Sequence, residues 1–203
     1  MQNQKSLQEI YTESLRNKEV ADIYCKSRGI ENPDFGYLKF LQCQNRIIVE
    51  VIVIPIRDAI GNIVMLELRS TKFKEHYKIT DGDSYHLYNI QKAINNTDYV
   101  IITEGVFDAE TLIQQGFNVI ATMTASVPTA TKHILTIFDK VILAYDNDST
   151  GIKAMKELLE FYKENYEDNE IDILEYEGKD LNECLAKGAL DYAVKEANAM
   201  VKA

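Results

Sequence analysis

Between residues 98 and 176 the chain alternates between short apolar runs and longer amphipathic ones. DYVIIT is a strand and VFDAETLIQQG a helix stopping at Gly116. FNVIATM is the next strand, and PTATKHILTIF its helix. KVILAYD is a third strand, STGIKAMKELLEFYKENY a helix, and EIDILEY a fourth strand. Strands that are apolar throughout and separated by helices predict a mostly parallel sheet covered by helices on both faces. DYAVKEANAMVKA closes the chain as a helix.

The first half has a different pattern. SLQEIYTESLRN and KEVADIYCKSRG have helical apolar spacing, with Gly29 as a stop. RIIVEVIVIPIRDAIGNIVMLELRS reads as two strands around a turn at Asp58–Asn62, and Pro55 marks an edge position or a bulge. The expected organisation is a smaller N-terminal α+β subdomain over 1–95, an α/β domain over 96–190 and a C-terminal helix over 191–203.

Composition narrows the functional classes. With 46% hydrophobic residues in 203, the chain builds a real core. No apolar run approaches the ~20 residues that span a bilayer, and MQNQKSLQEI lacks the apolar centre of a signal peptide, so a cytoplasmic location is expected. Cys25, Cys43 and Cys184 are odd in number and far apart, which suits neither a zinc clip nor a disulfide framework. His76, His86 and His133 form no ligand motif. A net charge of −10 repels phosphate backbones at long range. The same carboxylates are what a divalent-metal site requires.

In open α/β sheets, ligands bind beyond the carboxyl ends of the strands. The first of the four strands ends in Thr103-Glu104-Gly105 and the third in Asp146-Asn147-Asp148, while Glu177-Gly178-Lys179-Asp180 follows the fourth. Asp108 lies one helical turn after Glu104. Acids so placed repel each other unless a cation neutralises them, and Mg²⁺ does so with oxygen ligands while keeping water and phosphate in its other positions. Gly105 is expected to let the backbone turn beside Glu104, and Gly151 to let a ligand approach a helix start. Simpler roles stand beside these: Asp148, Ser149 and Thr150 as helix caps, Asp180 with Glu183 as a capping box, and Asp108 as a first-turn acid. The joint arrangement is the signal.

ITEGVFDAETL followed by VILAYDNDSTGIKA resembles the TOPRIM domain, whose hallmark is a Glu after the first strand and an Asp-x-Asp after the third. That module is shared by DnaG-type primases, type IA and II topoisomerases, OLD-type nucleases and RecR-type recombination proteins. EGKDLNECL is similar to a segment of primase–helicase fusions of tailed phages, and VIPIRDAIGNIV, YCKSRGI and HLYNI resemble stretches upstream of the module in DnaG-type primases. The likeness runs from about residue 20 to 190.

The resemblance implies a TOPRIM fold and the catalytic core of a phage- or plasmid-like DNA primase, a nucleotidyltransferase making RNA primers for DNA replication. Glu104, Asp146 and Asp148 would be catalytic and would bind metal with Asp108 and Asp180, the cofactor being Mg²⁺ or Mn²⁺. Glu104 is alternatively a general base. Arg57, Arg69, Lys74 and Lys78 would contact nucleotide or template, and Tyr77, Tyr85 and Tyr88 are candidates to stack on bases. The implied partners are single-stranded DNA and ribonucleoside triphosphates.

The chain departs from the primase pattern in several places. It shows no zinc motif and no helicase segment, which implies a helicase or a separate zinc-bearing protein as partner. It is short between Tyr77 and Leu87, where the family carries basic residues, and it has Asn182 where bacterial primases have a second acid after Asp180. Two other readings remain: a metal-dependent TOPRIM nuclease, or a non-catalytic replisome or nucleic-acid adaptor.

Overall fold

The computed structural model describes residues 5–43, 46–82, 86–166 and 170–202. The chain forms two compact units, Met1–His86 and Leu87–Ala203.

The first unit opens with helices α1 (Leu7–Ser14) and α2 (Lys18–Lys26), joined by a single 3-10 turn. Ser6 and Glu9 form a reciprocal capping box that starts α1. Four antiparallel strands follow in spatial order: β1 (Gly36–Cys43), β2 (Arg46–Arg57), β3 (Ile63–Ser70) and β4 (His76–Thr80). Leu7, Ile10 and Tyr11 of α1 share a core with Leu38, Leu41, Ile48, Val51, Val53, Leu66 and Leu68 on one face of the sheet. β1 and β4 are additions to the two strands expected from sequence. Pro55 meets both of its expectations. It lies beyond Val53, where pairing with β1 ends, and next to a register shift at Ile56/Arg57. Its missing N–H thus removes no bond to β1.

The second unit carries α3 (Ile90–Ala93), β5 (Tyr99–Thr103), α4 (Val106–Ile113), β6 (Val119–Ala121), α5 (Thr129–Ile134), β7 (Lys140–Ala144), α6 (Ser149–Asn165), β8 (Glu170–Ile173), α7 (Leu181–Ala186) and α8 (Leu190–Lys202). Leu87, Ile90 and Ala93 are part of this unit's core, which is why the units divide after His86. Gly116 follows α4 with φ +88°, as a stop requires.

The four strands are parallel, in the order β6-β5-β7-β8. This is the α/β fold with a flanked parallel sheet that the alternation predicts. The order has a functional consequence. The chain leaves β5 for β6 on one side, and leaves β7 for β8 on the other. The ends of β5 and β7 therefore flank the point where the winding reverses, which is where open α/β sheets open a ligand crevice.

Candidate active site

The register fixes what meets at that crevice. Thr103 pairs with Ala144, so Glu104 and Tyr145 leave the sheet abreast and Asp146 follows one residue on. Glu104 and Asp146 are both half-buried. Burial pushes the Glu104 carboxyl above its usual range, and the charges of Asp146 and Asp148 add to the rise. Asp146 is pushed up to about 6, chiefly by burial and then by Asp180 and Asp148. Lys179 opposes the rise at both. Four sequence-predicted acids thus share one electrostatic neighbourhood: Glu104, Asp146, Asp148 and Asp180.

Asp148 has two roles on separate oxygens. Its Oδ1 accepts from the N–H groups of Thr150 (3.0 Å) and Gly151 (3.1 Å), capping α6. These bonds, that of Gly151 foremost, hold its carboxyl below the usual range. Its Oδ2 faces the Lys179 ammonium at 3.8 Å. Capping and ion binding are therefore compatible in one residue. Asp180 caps α7, accepting from the Glu183 N–H at 2.7 Å. Glu183 in turn accepts from the Lys179 N–H at 2.9 Å rather than closing the expected box on Asp180 itself.

Asp108 is buried. Its Oδ1 accepts from the Asn182 N–H at 2.9 Å, which ties α4 to the start of α7. Asn182 Nδ2 adds a bond to Thr111 Oγ1 at 3.2 Å. Asn182 thus docks on α4 where the bacterial pattern has an acid. Gly105 has φ −101°, an ordinary value, so it serves no tight turn. A β-carbon there would lie 2.7 Å from Asp108 Oδ2. Gly151 also differs from its expected role. The space it leaves is filled by the Asp146 carbonyl and not by a ligand.

Residues that the sequence did not single out complete the site. Asn147 donates its N–H to the Lys179 carbonyl (2.7 Å) and its Nδ2 to the carbonyls of Tyr176 and Gly178 (2.9 Å each). The middle residue of Asp-x-Asp therefore stitches the 176–179 loop onto the acid pair. Tyr176 Oη donates to the Tyr145 carbonyl at 2.7 Å, and Tyr145 Oη shares a hydrogen bond with Thr122 Oγ1 at 2.9 Å. No pattern marks these residues, because their partners are distant in sequence.

The oxygen-only donor set suits a hard divalent ion. Among the described residues, no three acidic, histidine or cysteine side chains close into a cage. Glu104 and Asp146 lie at this edge with Asp148 and Asp180, each of which uses its Oδ1 for capping.

The basic candidates lie in the first unit. Arg57 donates to the Gly61 carbonyl (3.2 Å), pairs with Asp34 (3.3 Å) and lies over the Tyr11 ring (5.5 Å). Lys78 is paired across the sheet with Glu67, and Arg69 is two residues further along the same face. Glu67 is buried, which raises its carboxyl, with Lys78, Arg69 and His76 opposing the rise. Lys74 is exposed between β3 and β4. Tyr77 packs on the first unit's core and donates to Glu75. Tyr88 is buried and donates to Glu110, a packing role. Tyr85 lies outside the described residues.

Residues 101–185 match the Toprim-like family. They form a Toprim-like domain.

The chain is homologous to DNA primases. The Aquifex aeolicus enzyme is 26% identical over 154 residues, covering 70% of this chain and 30% of that protein. The chain spans under a third of the length of the curated relatives it matches. In three dimensions it is similar to the Escherichia coli primase catalytic core, with a TM-score of 0.74 at 18% identity over 94% of this chain and 77% of that one. It is also similar to the primase fragment of the bacteriophage T7 primase-helicase protein, with a TM-score of 0.65 at 22% identity over 85% and 68%. Both likenesses extend beyond the Toprim-like domain into the antiparallel unit. No helix among the described residues is long and apolar enough to cross a membrane.

Proposed function

We propose that this chain is the catalytic core of a DnaG-type primase, a cytoplasmic enzyme of phage or plasmid type that joins ribonucleotides on a single-stranded DNA template. The observation that carries the reading is the meeting of Glu104 with Asp146 and Asp148 where the winding of the sheet reverses.

Asp146 and Asp148 Oδ2, with Glu104, would hold Mg²⁺ or Mn²⁺. Asp180 adds negative field and Asp108 braces the loop that carries it. When bound, the ion would supply charge neutralisation for a triphosphate and a lower pKa for a primer 3′-hydroxyl. Alternatively to holding the ion, Glu104, whose burial raises its proton affinity, would accept the hydroxyl proton at a carboxylate oxygen. The parallel register supports this reading, because it carries Glu104 and Asp146 off neighbouring strand ends at one edge of the sheet. Arg69, Lys74 and Lys78 are proposed to contact nucleotide or template phosphates, with Arg57 partly engaged by Asp34. A helicase is a natural partner, since the T7 relative joins the two activities in one protein; a separate zinc-bearing protein would serve to select template.

The test is primer synthesis on single-stranded DNA with ribonucleoside triphosphates and Mg²⁺ or Mn²⁺, with and without a helicase. Ion-dependent oligoribonucleotides that fall by about 10²-fold or more in Asp146→Asn or Glu104→Gln support the reading. Absence of product under every partner condition contradicts it. Ion-dependent cleavage of the template instead of synthesis would make the chain a nuclease using the same acids.

A further inference from the structure

Among the described residues, Lys179 brings a cation to the acidic edge. Lys179 Nζ is 3.8 Å from Asp148 Oδ2, and its charge acts on Glu104, Asp146 and Asp148 alike. Asp148 Oδ1 is already used by two α6 N–H groups, so Oδ2 is the oxygen on which an incoming ion and the ammonium converge.

The backbone beneath Lys179 is held from both sides. Its carbonyl accepts from the Asn147 N–H, and its own N–H donates to Glu183 Oε2. Asn147 Nδ2 fixes the carbonyls of Tyr176 and Gly178 just before it. The side chain is 59% exposed, so it stays free to leave once its backbone has been placed. At 3.8 Å the contact is an ion pair and not a close hydrogen bond.

We propose that Lys179 is a tethered counter-cation that sets the affinity of this edge for divalent metal. It neutralises Asp148 Oδ2 while the edge holds no ion, and is displaced when an ion takes that oxygen. Asn147 is the positioning residue that holds the Lys179 loop in reach. The inference rests on the reading of the acids as an ion site and assigns to that site a residue that tunes its occupancy. Two cations cannot share one carboxylate oxygen without repulsion, so the ammonium must weaken ion binding. The effect is moderate, because an exposed ammonium is screened by water.

The test is calorimetric titration of the full chain with Mn²⁺ alone, at one pH and low salt. Wild type, Lys179→Met, Lys179→Arg and Asp146→Asn/Asp148→Asn are compared, with circular dichroism to verify folding. Lys179→Met is expected to bind Mn²⁺ roughly three- to tenfold more tightly, as expected from removing a screened charge near the ion. Lys179→Arg keeps the charge and stays near wild type, and raising the salt narrows the gap between Lys179→Met and wild type. Asn147→Ala, which loosens the loop, moves affinity in the same direction as Lys179→Met but less. If wild type binds Mn²⁺ and Lys179→Met binds equally or more weakly, the role of Lys179 is overturned while the ion site stands. If wild type takes up no ion that the double aspartate variant loses, the ion site itself is wrong and this role falls with it.

Discussion

Gly151 sits so close to Asp146 that a β-carbon on it would lie 2.2 Å from the Asp146 carbonyl oxygen. The first turn of α6 is thereby pressed against the backbone of the loop that carries both aspartates. The atom in the way is backbone, so no side chain can swing aside to make room. Gly151→Ala is therefore expected to destabilise the fold by about 1–3 kcal/mol, the usual range for overpacking. At about 2–4 °C per kcal/mol for a chain of this size, the loss is readable by differential scanning calorimetry. The same variant should weaken Mn²⁺ uptake, because the strain is relieved by moving Asp146. An unchanged melting temperature would contradict the packing.

Asp108 and Asp146 should separate stability from ion binding. Asp108 Oδ1 satisfies the Asn182 N–H in a buried position. Asp108→Ala leaves that donor without its carboxylate and should cost about 1–3 kcal/mol while ion binding is largely retained. Asp146→Asn removes a half-buried charge that its neighbours disfavour. It should abolish ion binding and leave the metal-free fold equally or more stable, as expected where function is kept at the expense of stability. Thermal melts beside Mn²⁺ titrations distinguish the two patterns.

The raised carboxyls predict a pH signature. Asp146 holds its proton up to about 6 in the folded chain, against an ordinary value of 3.8. Across that window the folded state binds more protons than the unfolded one, so stability falls as pH rises through it. Glu104 is shifted in the same direction. With a chelator present, this pair should make the chain less stable at about pH 7.5 than at about pH 5, and saturating Mg²⁺ should restore stability at the higher pH. Melts of Asp146→Asn under the same conditions should show a smaller difference. A wild-type slope that does not change in the variant would contradict the assignment.

Arg57 should affect stability as well as binding. Its guanidinium lies over Tyr11 and pairs with Asp34, which also accepts from the Tyr11 hydroxyl. Removing the stack and the ion pair together should cost about 1 kcal/mol. Arg57→Ala is thus expected to lower the melting temperature by a few degrees, about 2–4 °C. Lys74→Ala, at an exposed position, should leave it unchanged. Salt-dependent binding of single-stranded DNA, measured by fluorescence anisotropy, then reports each residue's phosphate contact.

The parallel sheet was legible because each of its strands is a continuous apolar run followed by a helix, a pattern that admits few other folds. Glu104, Asp146 and Asp148 were legible for the same reason, since the ends of those runs lie on one edge. β4 escaped because HYKIT is short and carries His76 and Lys78 on its outer face. β1 escaped because GYLKFLQC does not alternate cleanly: Leu38 and Leu41, which both face the core, are an odd number of residues apart, and Glu50 opposite them has φ +49°. Asn147 and Tyr176 were invisible because their work is done on backbone groups about thirty residues away, and Lys179 because its ammonium acts on a carboxylate equally distant in sequence. Asp108 looked like a first-turn acid near the site, and only the tertiary bond to Asn182 revealed its bracing role.

The ends of β5 and β7 are proposed to form a divalent-ion site for nucleotidyl transfer. The most direct measurement is anomalous diffraction from crystals grown with Mn²⁺ and a nucleoside triphosphate. The expected result is an anomalous peak bonded to Asp146 and Asp148 Oδ2, within reach of Glu104, with triphosphate oxygens completing its coordination. A peak elsewhere, or a triphosphate bound without an ion at these acids, would contradict it.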